Sequence, residues 1–384
     1  MTRTFEGVSI VGVGQTTYEK RTAKTPQRLI WEASDLALRS AGLGFSDVDG
    51  LGITCFVLGP DNVVTMAEHL GLACRFLYQG MYGGASGIIG MLHAARAIQA
   101  GDASVVVIVA ADVFDVEAHM RMVRNPGQHD YMHPWGYGAA NGVFALHTRL
   151  YMEAFGATAE DFGRLCVAQR ANAQLNPNAL LRDPMSLQDY LDARMIADPI
   201  RLYDCVLPCC GADAVVLVSD AVAARLDVAK LRILGGGEAH HTPANDIYAF
   251  SAGWDRFRDR MWGQAGCGPK DVDIIQLYDD YPVMEFIQLE GMGFAARGEA
   301  AALIRAHDCT VHGTLPINTG GGQLSAGQCG AAGGMIGVTE AVRQLRGEAG
   351  DRQVAGARRG VVSGYGAVSY GRGLSASACV LERI

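Results

Sequence analysis

The stretch Tyr82–Val113, YGGASGIIGMLHAARAIQAGDASVVVIVAADV, decides the fold. It reads as a glycine-rich turn, then a helix of small and apolar residues, then a buried strand. Such a turn sets unpaired backbone N–H groups and the positive end of a helix dipole at one spot, which suits a nucleophile or an anion. The tip carries Gly83, Gly84, Ala85, Ser86 and Gly87, and neither a cysteine nor a histidine.

The same pattern returns later in the chain. ASGIIGMLHAARAIQAGD (85–102) is similar to AAGGMIGVTEAVRQLRGEAGD (331–351), and the apolar strands SVVVIVAA and GVVSGYG follow them. A second pair, AGLGFSDVD (41–49) and AGCGPKDVD (265–273), keeps the same order. Each follows an amphipathic helical stretch (27–41 and about 251–265) and leads into a strand, GLGIT or IIQLY. Two pairs in register predict a duplicated α/β unit, with halves at 1–230 and 231–384. The first half is lengthened by an insertion at about 114–210, rich in aromatic residues and methionine. Two readings suit it: a cap over a ligand cleft, or a helical excursion packed on the core.

Composition narrows the class. The chain has 384 residues, 49% hydrophobic and 19% charged, enough for two core-bearing units. A net charge of −8 argues against nucleic acid as the main partner. The ten cysteines lie among apolar neighbours without a CxxC pair, as in a cytoplasmic protein with reduced thiols. Cys205, Cys209 and Cys210 cluster, but no histidine joins them in that segment, so packing is expected and no metal site. VSIVGVG is too short for a signal segment, and SVVVIVAA falls far below a membrane span.

These features together resemble the thiolase superfamily, most closely its sterol-carrier-protein-x, or lipid-transfer, branch. The phrases that carry the resemblance are NPNAL (176–180), DPIRLYDC (198–205), GADAVVLVSD (211–220), LPINTGGGQLSAGQCGAAGG (315–334) and EAVRQLRGEAGDRQV (340–354). It implies a five-layer αβαβα fold with a loop domain inserted in the first half. Thiolases work with a nucleophilic cysteine at the first glycine helix, an NEAF- or HDCF-like motif, a GHP-like histidine and a second cysteine in a C-terminal loop. Here those positions read Gly84, YDDY (Tyr278–Tyr281), GQC with Gln328, and SGYGAVSYGRG (363–373). All four positions are changed.

Without a thiolate at position 84, acyl-enzyme chemistry there is impossible. Cys329, beside Gln328, is the remaining thiol in these loops. Enolate chemistry needs no acyl-enzyme. In a retro-aldol cleavage a base takes the β-hydroxyl proton, the C–C bond breaks, donors hold the enolate oxygen, and an acid protonates the carbon. The resemblance points to bacterial aldolases that cleave steroid side-chain CoA thioesters and use tyrosines in place of cysteine. It implies Tyr278 and Tyr370 as the proton-handling pair, with Tyr365 as the alternative in the same loop and Asp279 orienting a neighbour or capping the helix near Pro282. Gly84 and Gln328 mark the oxyanion loops, Gly320, Gly321 and Gly322 allow close backbone approach, and His133 is placed at the cleft. The expected substrate is an acyl-CoA, with no cofactor held by the chain. The expected assembly is a homodimer with an OB-fold, zinc-ribbon acyl-CoA-binding partner, forming a heterotetramer. A cysteine-independent acyltransferase and a non-catalytic acyl-CoA- or sterol-binding subunit are the alternatives.

Overall fold

A computed structural model describes residues 5–122, 130–136, 139–241, 250–369 and 371–384. The strands are β1 (Val8–Gln15), β2 (Gly50–Thr54), β3 (Phe76–Gln79), β4 (Val105–Val113), β5 (Met195–Ala197), β6 (Ile200–Arg201), β7 (Cys210–Ser219), β8 (Leu231–His240), β9 (Ile274–Gln276), β10 (Arg359–Ser369) and β11 (Arg372–Arg383). Among the described residues, nine of them form one mixed sheet, in the order β3-β2-β4-β7-β1-β8-β11-β10-β9.

The order reads twice. From β1 outward run β7, β4 and β2; from β8 outward run β11, β10 and β9. The β2–β4 and β9–β10 pairs are parallel, while β4–β7 and β10–β11 are antiparallel. The two halves meet at Ile10 opposite Leu231. The repeated sequence pairs fall at matching places: 41–49 and 265–273 precede β2 and β9, and the two glycine helices, Ser86–Ala100 and Gly333–Arg346, precede β4 and β10.

Period-2 alternation explains the layers. In β4, Val105, Val107 and Val109 face an outer core with Leu29, Ile30 and Leu38 of the helix Pro26–Ser40. Val106, Ile108 and Ala110 face a central core with Ile88, Met91 and Leu92 of the first glycine helix and Met335, Val338 and Val342 of the second. In the other half, Ala376, Ala378 and Val380 of β11 face a third core around Trp254, Phe257 and Phe286, while Cys379 and Leu381 face the centre. Core, half-sheet, core, half-sheet, core: this is the five-layer thiolase-like arrangement.

Small residues let the central helices touch. A methyl group on Gly87 would meet Met335, and one on Gly334 would strike the Gly84 carbonyl. The described part of the insertion packs on the helix Pro282–Gly291. Phe144 stacks on Tyr281 with ring centroids 4.3 Å apart, and the Tyr151 hydroxyl donates to Glu290.

Two elements differ from the sequence reading. The helix expected at about 251–265 begins at Arg258; the residues before it form the single turn Trp254–Arg256, anchored where the Trp254 indole N–H donates to the Ser377 carbonyl at 3.2 Å. The strand expected over IIQLY ends at Gln276, because the Leu277 N–H leaves the ladder for Asn318 Oδ1 at 2.7 Å. Tyr278 therefore stands on a loop beyond the strand.

Candidate active site

The site forms where the glycine helices begin. Residues Gly83–Ala85 make a short turn into the first, Gly330–Ala332 make the matching turn into the second, and β10 passes beneath. Gly364 and Gly366 lie so close to this turn that a methyl group on either would strike the Gly84 or Tyr82 carbonyl. Aligned N-terminal amides make this spot electropositive.

Tyr278 projects into the same place. A methyl group built on Gly84 would overlap Cε2, Cζ and Cδ2 of the Tyr278 ring. A residue with a side chain at 84 and the tyrosine in this position exclude each other. Tyr278 is 8% exposed, and the half-buried Gln328 stands beside its hydroxyl. Burial, reinforced by the Asp280 and Asp279 carboxyls, pushes the phenol pKa well above its ordinary value; the Gln328 and Gln323 carboxamides pull the other way. At neutral pH the hydroxyl is protonated.

The backbone of Tyr278 is clamped by one side chain. Gln288 Oε1 accepts from the Tyr278 N–H at 3.0 Å, and Gln288 Nε2 donates to the Tyr278 carbonyl at 2.7 Å. Ser363, in the last loop, donates to the same Oε1 at 2.5 Å. Asp279 is fully buried and caps a helix other than the expected one: its carboxylate accepts from the N–H groups of Gln323 at 2.8 Å and Leu324 at 3.1 Å. It thereby ties the YDDY segment to the short helix Gly322–Ala326, and burial pushes its pKa up to about 7. Gly321 and Gly322 have φ of +97° and +58°, and a methyl group on Gly322 would overlap the Asp279 carboxylate. Glu285 lies below, accepting from Gln169 at 2.5 Å and from Asn318 at 3.1 Å, and burial pushes its pKa well up.

The other described candidates have their own surroundings. Tyr365 is fully buried, stacked on Trp254 at 5.7 Å, and its hydroxyl accepts from the Gly373 N–H at 2.5 Å. It braces the β10–β11 hairpin. Tyr370 lies outside the described residues. His133 is exposed in the turn His133–Trp135. Cys329 is fully buried with its sulfur 3.1 Å from Cys209, and burial pushes its pKa well up, the reverse of what a nucleophile needs. Among the described residues, no group of three or more His, Cys, Asp or Glu is placed to hold a metal, and no helix is long and apolar enough to cross a membrane.

Gln288, Gln323, Asn318 and Glu285 were not singled out in the sequence. Glu285, Gln288 and Glu290 do carry a signal there, as polar residues inside the apolar run PVMEFIQLEG.

A doubled α/β sheet around two glycine helices whose first turns meet beside one buried tyrosine defines a thiolase-like protein. Residues 239–383 match the family described as thiolase C-terminal domain-like. The chain is 34% identical, over 88% of its length and 91% of the relative's, to 17-hydroxy-3-oxo-4-pregnene-20-carboxyl-CoA lyase of Mycobacterium tuberculosis. It is 31% identical, over 88% and 90%, to a steroid side-chain-cleaving aldolase of Thermomonospora curvata. A solved Ltp2-ChsH2(DUF35) aldolase superposes with a TM-score of 0.85 at 30% identity, covering 98% of each chain. The chain belongs to this family of thiolase-like aldolases, with the thiolase acyltransferases as more distant kin.

Proposed function

We propose that this chain cleaves a steroid side-chain CoA thioester by a retro-aldol reaction, without an acyl-enzyme. The observation that carries the reading is the shared volume of Gly84 and Tyr278: a phenol fills the space an acyl-accepting side chain would need. The names of the relatives add the substrate class. A hydroxyl at carbon 17 with a carboxyl-CoA at carbon 20 is a β-hydroxyacyl thioester, which a retro-aldol step splits into a ketone and a shortened acyl-CoA.

In this reading the thioester oxygen lies at the converging amides and Gln328, where enolate charge is stabilised as it develops. The β-hydroxyl loses its proton, the bond between the α and β carbons breaks, and its electron pair enters the enolate. Tyr278, neutral at rest because of its burial, gives its proton to the enolate carbon. Tyr370, as its phenolate, is the base that the family resemblance supplies; it takes the β-hydroxyl proton, and passing that proton on to the Tyr278 phenolate restores both groups. Atoms balance: one proton leaves oxygen and one arrives on carbon. Asp279 fixes the loop that presents Tyr278, and Gly322 lets that carboxylate approach.

The chain works as a homodimer beside an acyl-CoA-binding OB-fold partner; the name of the solved Ltp2-ChsH2(DUF35) aldolase supports a DUF35-type partner. The test is to mix the chain, with and without such a partner, with a 17-hydroxy C20-carboxyl steroid CoA thioester. Free 17-ketone and a shortened acyl-CoA support the reading; intact thioester in both mixtures overturns it.

A further inference from the structure

Gln323 follows the glycine triplet 320–322 and sits on the short helix whose N-terminus Asp279 holds. It is 1% exposed, yet neither Oε1 nor Nε2 of its carboxamide has a hydrogen-bond partner. Buried amide groups are rarely left this way, since each unmet donor or acceptor is destabilising. The group has a defined place. A methyl group on Gly333 would overlap Gln323 Oε1 and crowd Gln328 Cγ at 3.3 Å, so both carboxamides lie against the first turn of the second glycine helix. Gln323 also lies close enough to the Tyr278 hydroxyl to influence its ionisation.

We propose that Gln323 is a positioning residue for Tyr278: its unmet Nε2–H turns onto the phenolate oxygen left when Tyr278 gives up its proton. The resting phenol gains little from this donor, whereas the phenolate gains a charge-assisted hydrogen bond. An unmet group in the resting protein and a met one in the transition state lower the barrier, because only differential binding accelerates a step. The proposal rests on the aldolase reading and adds a residue that reading does not use.

Gln323→Met keeps the length of the side chain and removes both polar atoms. If the carboxamide is unmet at rest, the variant melts a few degrees above the wild type. If it serves the phenolate, kcat falls by about 10²-fold, the usual cost of losing one oxyanion donor, with KM within twofold. A lower melting temperature overturns the inference, because the carboxamide is then a structural partner. So does an unchanged kcat. If the wild type itself cleaves nothing, the aldolase reading fails separately, and ¹⁹F NMR of a fluorotyrosine placed at 278 decides. Its titration moves to higher pH in Gln323→Met if the amide serves the phenolate; an unmoved titration overturns the proposal.

Discussion

Gly84 and Tyr278 are one feature written at two distant positions, and this coupling can be measured. Gly84→Ala forces a methyl group into the ring, an overpacking that costs about 1–3 kcal/mol. In a Tyr278→Ala background the same change should be nearly neutral, since the ring is gone. A denaturant double-mutant cycle checks this, and additive effects would show that the two residues do not share space. Tyr278→Phe removes a hydroxyl and leaves the packing. It should lower C–C cleavage by about 10²–10⁴-fold while the melting temperature moves little. At this scale the sequence shows which positions had changed, through the motif YDDY and the glycine tip. It does not show that Gly84 and Tyr278 touch, because 194 residues separate them and only the fold brings them together. Tyr365 illustrates the reverse: two tyrosines in one loop look alike as letters, and hydrogen bonding to Gly373 tells this one apart.

Among elements, the helix Pro282–Gly291 matters most, because it holds the Tyr278 loop from beneath. Gln288 satisfies both the N–H and the carbonyl of Tyr278 and reaches Ser363 as well. Gln288→Leu leaves two buried backbone groups unmet, at about 1–3 kcal/mol each. The variant should unfold at lower denaturant and, while folded, turn over more slowly than wild type. Wild-type activity in a folded Gln288→Leu protein would remove the clamp from the account. Element existence is legible from the sequence through period and turn residues, as the glycine helices and β4 illustrate. Element ends are less so. β9 stops at Gln276 because a side chain 41 residues away, Asn318, captures the next N–H, and no local pattern encodes that.

Across the whole molecule, the duplicated sheet places the site between two cores and buries acids along with it. Asp112 and Asp279 are both pushed up to about 7 by burial, against the N–H groups that hold their carboxylates. Both values lie above those of the unfolded chain, so the folded protein retains protons that the unfolded one releases. The stability they contribute is complete below about pH 4 and is lost as pH rises through 7. Glu238 is shifted the other way, to about 2, where His93 and Arg96 outweigh its burial, and it contributes nothing variable above pH 5. Melting temperature should therefore fall between pH 5.5 and pH 8; a rise over that range would contradict the burial argument. The repeat itself is visible in the sequence as two pairs of segments in order, which the strand order then matches. The three cores are not visible there, because alternation along a strand does not say which layer each face meets.

The measurement that tests the central claim most directly is mass spectrometry of a quenched turnover mixture, reading small molecules and intact protein together. The account predicts that 17-ketone and shortened acyl-CoA accumulate while every copy of the chain keeps its unmodified mass. An acyl adduct on the chain that forms and decays with turnover, on Cys329 or any other residue, would contradict it.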